Sequence, residues 1–301
     1  MTHDASASVL GYLYQVHTAL LELLRRNRQS PGIALTIEKL DDVAFEVGGS
    51  PLELLQTKHH VSRLASLSDG SPDLWRTIGV WLDALADGSI DLQTITLTLL
   101  TTAEAPAGAA AASLRVAGRD PDAAAISLER TARTSTSASH RATYERFLGL
   151  PFETRRALVR AILVLDGAAQ VSDLESMLQS ELRRAAEPRL VAALSERLLG
   201  WWYGRVIRHL TESSAVPIYG EEVELQIDDL PDKFASDNLP IDVLEDEGVE
   251  LLNTDDRTFV RRHSDGCPGS RSPRRPRRGG SAPRTARGRP ARGRTGTGSY
   301  A

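Results

Sequence analysis

The spacing of apolar residues divides the first hundred positions into six elements. Apolar residues recur about every 3.6 positions over 6–26, which is typical of an amphipathic helix. Val43, Phe45 and Val47 occupy alternate positions, which is typical of a strand with one buried face. The predicted order is helix, three strands, helix and strand, at 6–26, 33–40, 42–47, 52–59, 72–88 and 90–103.

The pattern changes near residue 150, where we predict a domain boundary. Alanine-rich residues 105–150 are predicted to be helical, and their buried stripe is predicted to include Leu128, Tyr144, Phe147 and Leu148. Beyond them the helical period dominates, at 151–167, 171–186 and 188–213, and one short strand is predicted at 223–227. We therefore predict an α/β domain over 1–150 and a mainly α-helical domain over 151–260.

Charge is divided sharply between the body of the chain and its end. Residues 261–301 carry twelve arginines and one acid, Asp265, although the net charge of the whole chain is −4. This segment has no Leu, Ile, Val, Phe, Met or Trp, so it is expected to be disordered. Two interpretations stay open: a basic arm that neutralises phosphates, or a sequence read out of frame from GC-rich DNA. Because the body is acidic, any nucleic-acid site within it must be local.

Simple counts exclude several classes of protein. The single cysteine, Cys267, allows neither an internal disulfide nor a four-thiolate zinc site. The first residues lack the basic start and apolar stretch of a signal peptide, and no run of 18 apolar residues occurs. We therefore expect a cytoplasmic protein without a membrane span.

Strands 42–47 and 52–59 are predicted to pair as a hairpin. If Val47 lies opposite Pro51, the antiparallel register gives two further pairs, Asp42 with Gln56 and Leu40 with Lys58. This register gathers a carboxylate, an amide and an ammonium group on one face. The opposite face is predicted to carry Val43, Phe45, Leu55 and Thr57. A shift of one residue would move Asp42 to the far side.

Such a polar trio suits a divalent metal ion next to a phosphate. Carboxylate and amide oxygens are hard ligands for Mg²⁺, which also accepts oxygens from substrate phosphate. A neighbouring ammonium group stabilises negative charge in the transition state. A carboxylate, then Gln or Glu, one spacer and Lys form the core of PD-(D/E)xK nucleases, whose fold has the same element order. The predicted fold class is therefore α/β with a restriction-endonuclease-like core, followed by the helical domain and the basic tail.

Four segments carry a resemblance to one family of nuclease domains: GYLYQ, IEKLDDVAF, LLQTKHH and SPDLWRTIGVW. Over residues 8–102 the chain is similar to the double-stranded DNA endonuclease domain of the nuclease effectors of cyclic-oligonucleotide antiphage defence (CBASS). The same type of domain occurs in ABC-three-component defence systems. The stretch from Trp201 to Leu230 resembles the helical C-terminal domain of that second group. No segment resembles the cyclic-nucleotide sensor domain of the first group.

The resemblance implies a role for each member of the polar trio. Asp42 resembles the metal-binding aspartate, Gln56 the middle position of the motif, which also holds the metal, and Lys58 the catalytic lysine. The sequence departs from the motif at Gln56, which stands where Asp or Glu is usual. This departure removes one formal negative charge from the ligand set.

Five further polar residues near the hairpin are candidates for the site. The resemblance implies that Gln15 is the polar residue which the first helix offers, and that Glu38 is a further ligand. Asp41 competes with Asp42 as a metal ligand. His59 and His60 have two readings, either as contacts to phosphate or metal or as solvated imidazoles at the end of a strand.

The aromatic residues are predicted to pack rather than to bind. Trp75 and Trp81 lie on the buried stripe of the helix 72–88. Trp201, Trp202 and Tyr203 could stack on bases, but packing between helices is the preferred interpretation.

Two hypotheses of function follow. The first is a Mg²⁺- or Mn²⁺-dependent deoxyribonuclease that cleaves double-stranded DNA in bacterial antiphage defence. The second is a catalytically inactive DNA-binding or docking component of an ABC-three-component system. The resemblance implies an SMC-like ATPase and small middle-component proteins as partners, and the sequence leaves the oligomeric state open.

Overall fold

The computed structural model describes residues 5–60, 65–212 and 216–232, which form eight α-helices, two short 3₁₀ turns and one mixed six-stranded sheet. The strands are β1 (Ile33–Ile37), β2 (Val43–Val47), β3 (Ser50–Lys58), β4 (Thr96–Thr101), β5 (Ile162–Leu165) and β6 (Ile218–Tyr219). The helices are α1 (Ala5–Asn27), α2 (Pro72–Ala86), α3 (Pro121–Thr134), α4 (Arg141–Gly149), α5 (Phe152–Ala161), α6 (Val171–Leu182), α7 (Val191–Thr211) and α8 (Gly220–Asp232). The α/β class predicted from the sequence is confirmed.

The first six elements follow the predicted order, α1, β1, β2, β3, α2 and β4. Strands β1, β2 and β3 form an antiparallel meander, and β4 and β5 continue the sheet parallel to β3. The order across the sheet is β5-β4-β3-β2-β1-β6. Since β1 and β3 both run antiparallel to β2, the strands β1, β3, β4 and β5 all end at the same edge of the sheet.

Helices cover both faces of the sheet. Leu54 and Leu97 belong to one core, which also contains residues of α2, α3, α4 and α5. Leu55 and Leu100 belong to the other core, with residues of α1, α6, α7 and α8. Because successive strand residues point to opposite faces, the neighbours Leu54 and Leu55 lie in different cores. Burial on both faces explains why β4 carries leucines towards both cores, Leu97 and Leu99 in one and Leu100 in the other, and why two of its threonines are buried as well.

Residues 162–165 correct the prediction of a continuous helix over 151–167. Helix α5 ends at Ala161, and Ile162–Leu165 forms β5, which pairs with Leu97–Leu100 of β4. A short apolar run fits a buried strand and a buried helix equally well by its periodicity. Backbone hydrogen bonds to β4 make this run a strand.

Residues 223–227 correct a second prediction, because they belong to α8 and not to a strand. Val223 and Ile227 are buried, whereas Leu225 is 67% exposed. This i, i+4 spacing is that of a helix, since a strand would place all three side chains on one face. A strand of two residues, β6, precedes the helix instead.

The predicted helical content of 105–150 is found in α3 and α4, separated by loops and 3₁₀ turns. Of the predicted stripe, Leu128, Tyr144 and Phe147 are buried, and Leu148 packs half-buried against the same core.

The described residues all belong to one compact unit, Met1–Ile241. Strand β5, from beyond residue 150, forms part of the common sheet. The boundary predicted near 150 and the helical domain over 151–260 stay predictions, and the basic tail 261–301 lies outside the described residues. In the three described ranges no helix is long and apolar enough to cross a membrane.

Candidate functional site

The predicted polar residues lie at the edge of the sheet where β1 and β3 end and β2 begins. Glu38 follows β1, Asp41 and Asp42 precede β2, and Gln56 and Lys58 close β3. All of these except Lys58 line an open pocket of about 290 Å³, together with Lys39, Leu40 and Val80. The topology of the meander therefore gathers residues that are up to twenty positions apart in sequence.

The predicted hairpin register holds over the strands but not at the turn. Val43 pairs with Leu55 and Phe45 with Glu53, as predicted, whereas Val47 pairs with Ser50 and not with Pro51. Gly48 and Gly49 have φ angles of +59° and +80°, so they form a tight two-residue turn. The shorter turn shifts the register after Phe45, and a bulge absorbs the extra residue.

The carboxylate of Asp42 lies beside the end of β3. Its Oδ2 accepts hydrogen bonds from the backbone N–H of Thr57 at 2.9 Å and from the Thr57 hydroxyl at 3.1 Å. The N–H of Thr57 lies in the plane of the sheet, where a backbone oxygen of a longer β2 would accept its hydrogen bond. The carboxylate of Asp42 takes the place of that oxygen. Thr57 was predicted to line the opposite face with Val43 and Leu55; it is buried two residues after Leu55, and its hydroxyl also donates to the Asp42 carboxylate. The predicted pair of Leu40 with Lys58 is also absent, since β2 begins only at Val43.

Gln56 connects the carboxylate to the lysine. Its Nε2 donates to Asp42 Oδ1 at 3.0 Å and to Asp41 Oδ1, and its Oε1 accepts from Lys58 Nζ at 2.7 Å. Lys58 Nζ also lies 3.8 Å from Asp42 Oδ2. The structure thus brings the carboxylate, the amide and the ammonium group into one contact chain, in which Gln56 is buried and Lys58 is half-buried.

The loop between β1 and β2 is held in place by α1. Gln15 Nε2 donates to Glu38 Oε1 at 2.9 Å and to the backbone oxygen of Asp42 at 2.8 Å. The same Asp42 oxygen accepts from the Glu38 N–H at 3.2 Å. Glu38 has a φ of +55°, which is a strained conformation for a residue with a side chain. Such strain at the rim of a polar pocket is typical of functional loops.

Asp41 occupies a different environment from its neighbour Asp42. It is only 7% exposed, and its carboxylate accepts hydrogen bonds from the Asp42 N–H at 2.8 Å and from Trp81 Nε1 at 3.0 Å. Burial raises the pKa of Asp41 to about 6, although hydrogen bonds from Gln56, Asp42 and Trp81 counteract part of this rise. The indole of Trp81 was predicted only as core, and nothing in an apolar stripe indicates where its N–H points.

The two histidines after Lys58 have different partners. His60 lies with Nε2 2.6 Å from Asp73 Oδ2, and its backbone N–H donates to the Thr102 hydroxyl at 2.8 Å. The His59 ring packs 4.8 Å from that of Tyr14, and burial lowers the pKa of His59. Each ring therefore has a partner within the fold while both residues stay partly exposed, and the two interpretations stay predictions.

The aromatic residues predicted to pack do so. Trp75, Trp81 and Trp202 are fully buried, and Trp202 Nε1 donates to the backbone oxygen of Val16 at 2.8 Å. Trp201 and Tyr203 are half-buried and pack against the core that contains Trp202.

The donor set fits a magnesium ion in its chemistry. Each carboxylate or amide oxygen can accept two hydrogen bonds, and among the described residues Asp42 Oδ1 and Gln56 Oε1 each accept one, so a second acceptor position is left on each. Glu38 adds a second carboxylate at the same pocket. In the part of the chain that the structure describes, no group of three or more His, Cys, Asp or Glu residues could hold a metal ion. An ion at this pocket would therefore need the amide oxygen of Gln56 and phosphate or water oxygens as well, which is the usual situation for Mg²⁺.

Comparison with known proteins gives distant structural matches. No protein family model matches the chain, and no curated protein matches it. The Cap4 SAVED/CARF-domain containing receptor of Moraxella osloensis has 16% identity and a TM-score of 0.45, over 72% of this chain and 46% of that receptor. The corresponding receptor of Acinetobacter baumannii, solved with the cyclic trinucleotide 2'3'3'-cAAA, has 19% identity and a TM-score of 0.42, over 72% of this chain and 44% of that receptor. The chain thus spans less than half the length of either receptor.

Proposed function

We propose that the chain is a metal-dependent DNA endonuclease of bacterial antiphage defence. The observation that carries the proposal is the contact chain of Asp42, Gln56 and Lys58 at the end of β3. The order α1, β1–β3, α2, β4, with β4 parallel to β3, supports a PD-(D/E)xK type of core around it. The setting in antiphage defence is supported by the sequence resemblance over residues 8–102.

Five polar residues at or beside the pocket have a defined task in this proposal. Asp42 and Gln56 would hold Mg²⁺, with Glu38 at the rim, and the bound ion would supply Lewis-acid stabilisation of a phosphate oxygen. Lys58 keeps its ammonium group beside the same oxygens, where it stabilises negative charge that develops on the phosphate. Gln15 fixes the loop that carries Glu38 and Asp42.

The shape of the pocket supports an extended substrate. It is shallow and open, and its rim is formed by the strained loop after β1. An open rim admits the backbone of a duplex, whereas small-molecule sites usually enclose most of the ligand. Because the body of the chain is acidic, DNA would contact the protein only near the pocket. Lys58 and nearby Lys39 would supply the positive charge there.

The direct test is cleavage of supercoiled plasmid by the purified chain. We expect nicked or linear product with Mg²⁺ or Mn²⁺ and none with EDTA, because the proposed reaction needs the metal ion. If the chain alone shows no cleavage, the assay is repeated with the proposed SMC-like ATPase partner. Cutting that persists in EDTA, or intact plasmid in every metal-containing arm, would contradict the proposal.

One observation favours the second candidate function, a nuclease fold that binds DNA without cutting it. Gln56 lacks the charge that is usual at its motif position, and in the described ranges no cluster of three acidic or imidazole ligands supports a metal ion. In that case the chain would dock DNA and an SMC-like ATPase partner. Isothermal titration with Mn²⁺ separates the two, since the docking module is expected to bind no metal ion at the pocket.

A further inference from the structure

The environment of Asp41 differs from that of a metal ligand. Both of its carboxylate oxygens are engaged, Oδ1 by Gln56 Nε2 and the Asp42 N–H, and Oδ2 by Trp81 Nε1. The residue is also almost completely buried. Asp41 lines the pocket, but its carboxylate has three donors and little exposure, so it is better placed to hold its donors than to bind a substrate or an ion.

The donor that matters most is the amide of Gln56. An amide has one end that donates and one that accepts, and Asp41 and Asp42 both bind the donating Nε2. The accepting Oε1 therefore faces Lys58 Nζ. The reverse orientation would place Oε1 against two carboxylates and Nε2 against an ammonium group, so every contact would become repulsive. The two acids thus select a single orientation of Gln56.

Trp81 donates a hydrogen bond to the second carboxylate oxygen of Asp41. Its ring is fully buried on α2, and its indole N–H is the donor to Asp41 Oδ2 at 3.0 Å. We propose that Asp41 and Trp81 are positioning residues that fix the amide of Gln56 with its oxygen towards Lys58 and the pocket. This inference rests on the proposed function, and it connects α2 to the site through Trp81, in addition to Val80 at the wall of the pocket.

The same contacts explain why the middle motif position carries an amide. A glutamate at 56 would bring a third carboxylate against Asp41 and Asp42, which is costly in a buried site. Gln56 avoids this repulsion because its Nε2 donates a hydrogen bond to each of the two acids. Asp41 and Gln56 are therefore a complementary pair of acceptor and donor.

The chain offers a matched pair of variants, Trp81→Phe and Trp75→Phe. Both tryptophans are fully buried on α2 and donate one indole hydrogen bond, but Trp75 donates to the backbone oxygen of Asp69, outside the site. We expect Trp81→Phe to weaken Mn²⁺ binding or slow cleavage by roughly 10–100-fold, as for other residues that orient metal ligands. Trp75→Phe should change both by less than about twofold, since it leaves those ligands untouched. Equal effects of the two variants would overturn the inference.

Two further measurements separate this inference from the proposed function. If the wild-type chain neither binds Mn²⁺ nor cuts DNA, the proposed function fails, and the side-chain NH₂ resonances of Gln56 decide the positioning role. They should shift in Trp81→Phe and stay in place in Trp75→Phe; unshifted resonances in both would overturn the inference. If Trp81→Phe does not fold, Asp41→Asn replaces it, with Asp83→Asn as its control, because Asp83 is an exposed acid on α2 that pairs with Arg146. The Gln56 NH₂ resonances should shift in Asp41→Asn and stay in place in Asp83→Asn, and unshifted resonances in both would overturn the inference.

Discussion

Replacing Lys58 by alanine is expected to lower the rate of Mg²⁺-dependent DNA cleavage by about 10²–10³-fold, which is typical of removing one group that stabilises the transition state. The ammonium group lies 2.7 Å from Gln56 Oε1 and 3.8 Å from Asp42 Oδ2, so its loss removes positive charge next to the proposed phosphate site. The rate is measured on supercoiled plasmid under single-turnover conditions.

The control for Lys58→Ala is Arg133→Ala. Arg133 is an exposed cation on α3, so its removal changes the net charge equally without touching the pocket. Both variants should keep the circular dichroism spectrum and melting temperature of the wild type, because the Lys58 side chain is 24% exposed and packs in neither core. Retained cutting by a folded Lys58→Ala protein would remove the lysine from the mechanism.

Replacing Trp202 by alanine is expected to lower the free energy of unfolding by about 3–5 kcal/mol, the usual cost of deleting a large buried aromatic side chain. Trp202 is fully buried in the core shared by α1, α6, α7 and α8, and its indole donates to the Val16 backbone oxygen at 2.8 Å. Val16 follows Gln15, so the loss also loosens the part of α1 that holds the loop of Glu38 and Asp42. Urea denaturation followed by circular dichroism gives the value.

The adjacent Trp201 provides the control for this stability prediction. It is half-buried at the rim of the same core, so Trp201→Ala should cost only about 1 kcal/mol. Equal losses in the two variants would show that α7 does not pack on α1 through Trp202 as the structure describes.

The sequence predicted the first six elements because the two helices show the helical period, the strand at 42–47 alternates, and the strand at 90–103 is rich in β-branched residues. The register that pairs Val43 with Leu55 came from placing Val47 opposite Pro51. This placement is wrong at the turn, but the register holds at Val43 and Phe45 because a bulge separates these pairs from the turn. The same register placed Asp42 near Gln56, and their side chains do make contact. The chain beyond residue 150 was harder, because Ile162–Leu165 is too short and too apolar for its period to separate strand from helix.

The contacts that complete the site depend on geometry which the sequence does not record. The tight turn at Gly48 and Gly49 and the bulge that follows from it depend on backbone angles. The support of Asp42 by Thr57 arises because β2 starts one residue later than predicted. The indole N–H of Trp81 points to Asp41 only because α2 packs at one particular height on the sheet. The metal ion and the reaction stay proposals that rest on the chemistry of the side chains.

A crystal structure of the chain grown with Mn²⁺ tests the central claim most directly. The account predicts an anomalous peak in the pocket, with the Asp42 carboxylate and the Gln56 amide oxygen as ligands and Lys58 Nζ beside them. A saturating concentration of Mn²⁺ that leaves this pocket empty, or a structure in which these three side chains point apart, would contradict it.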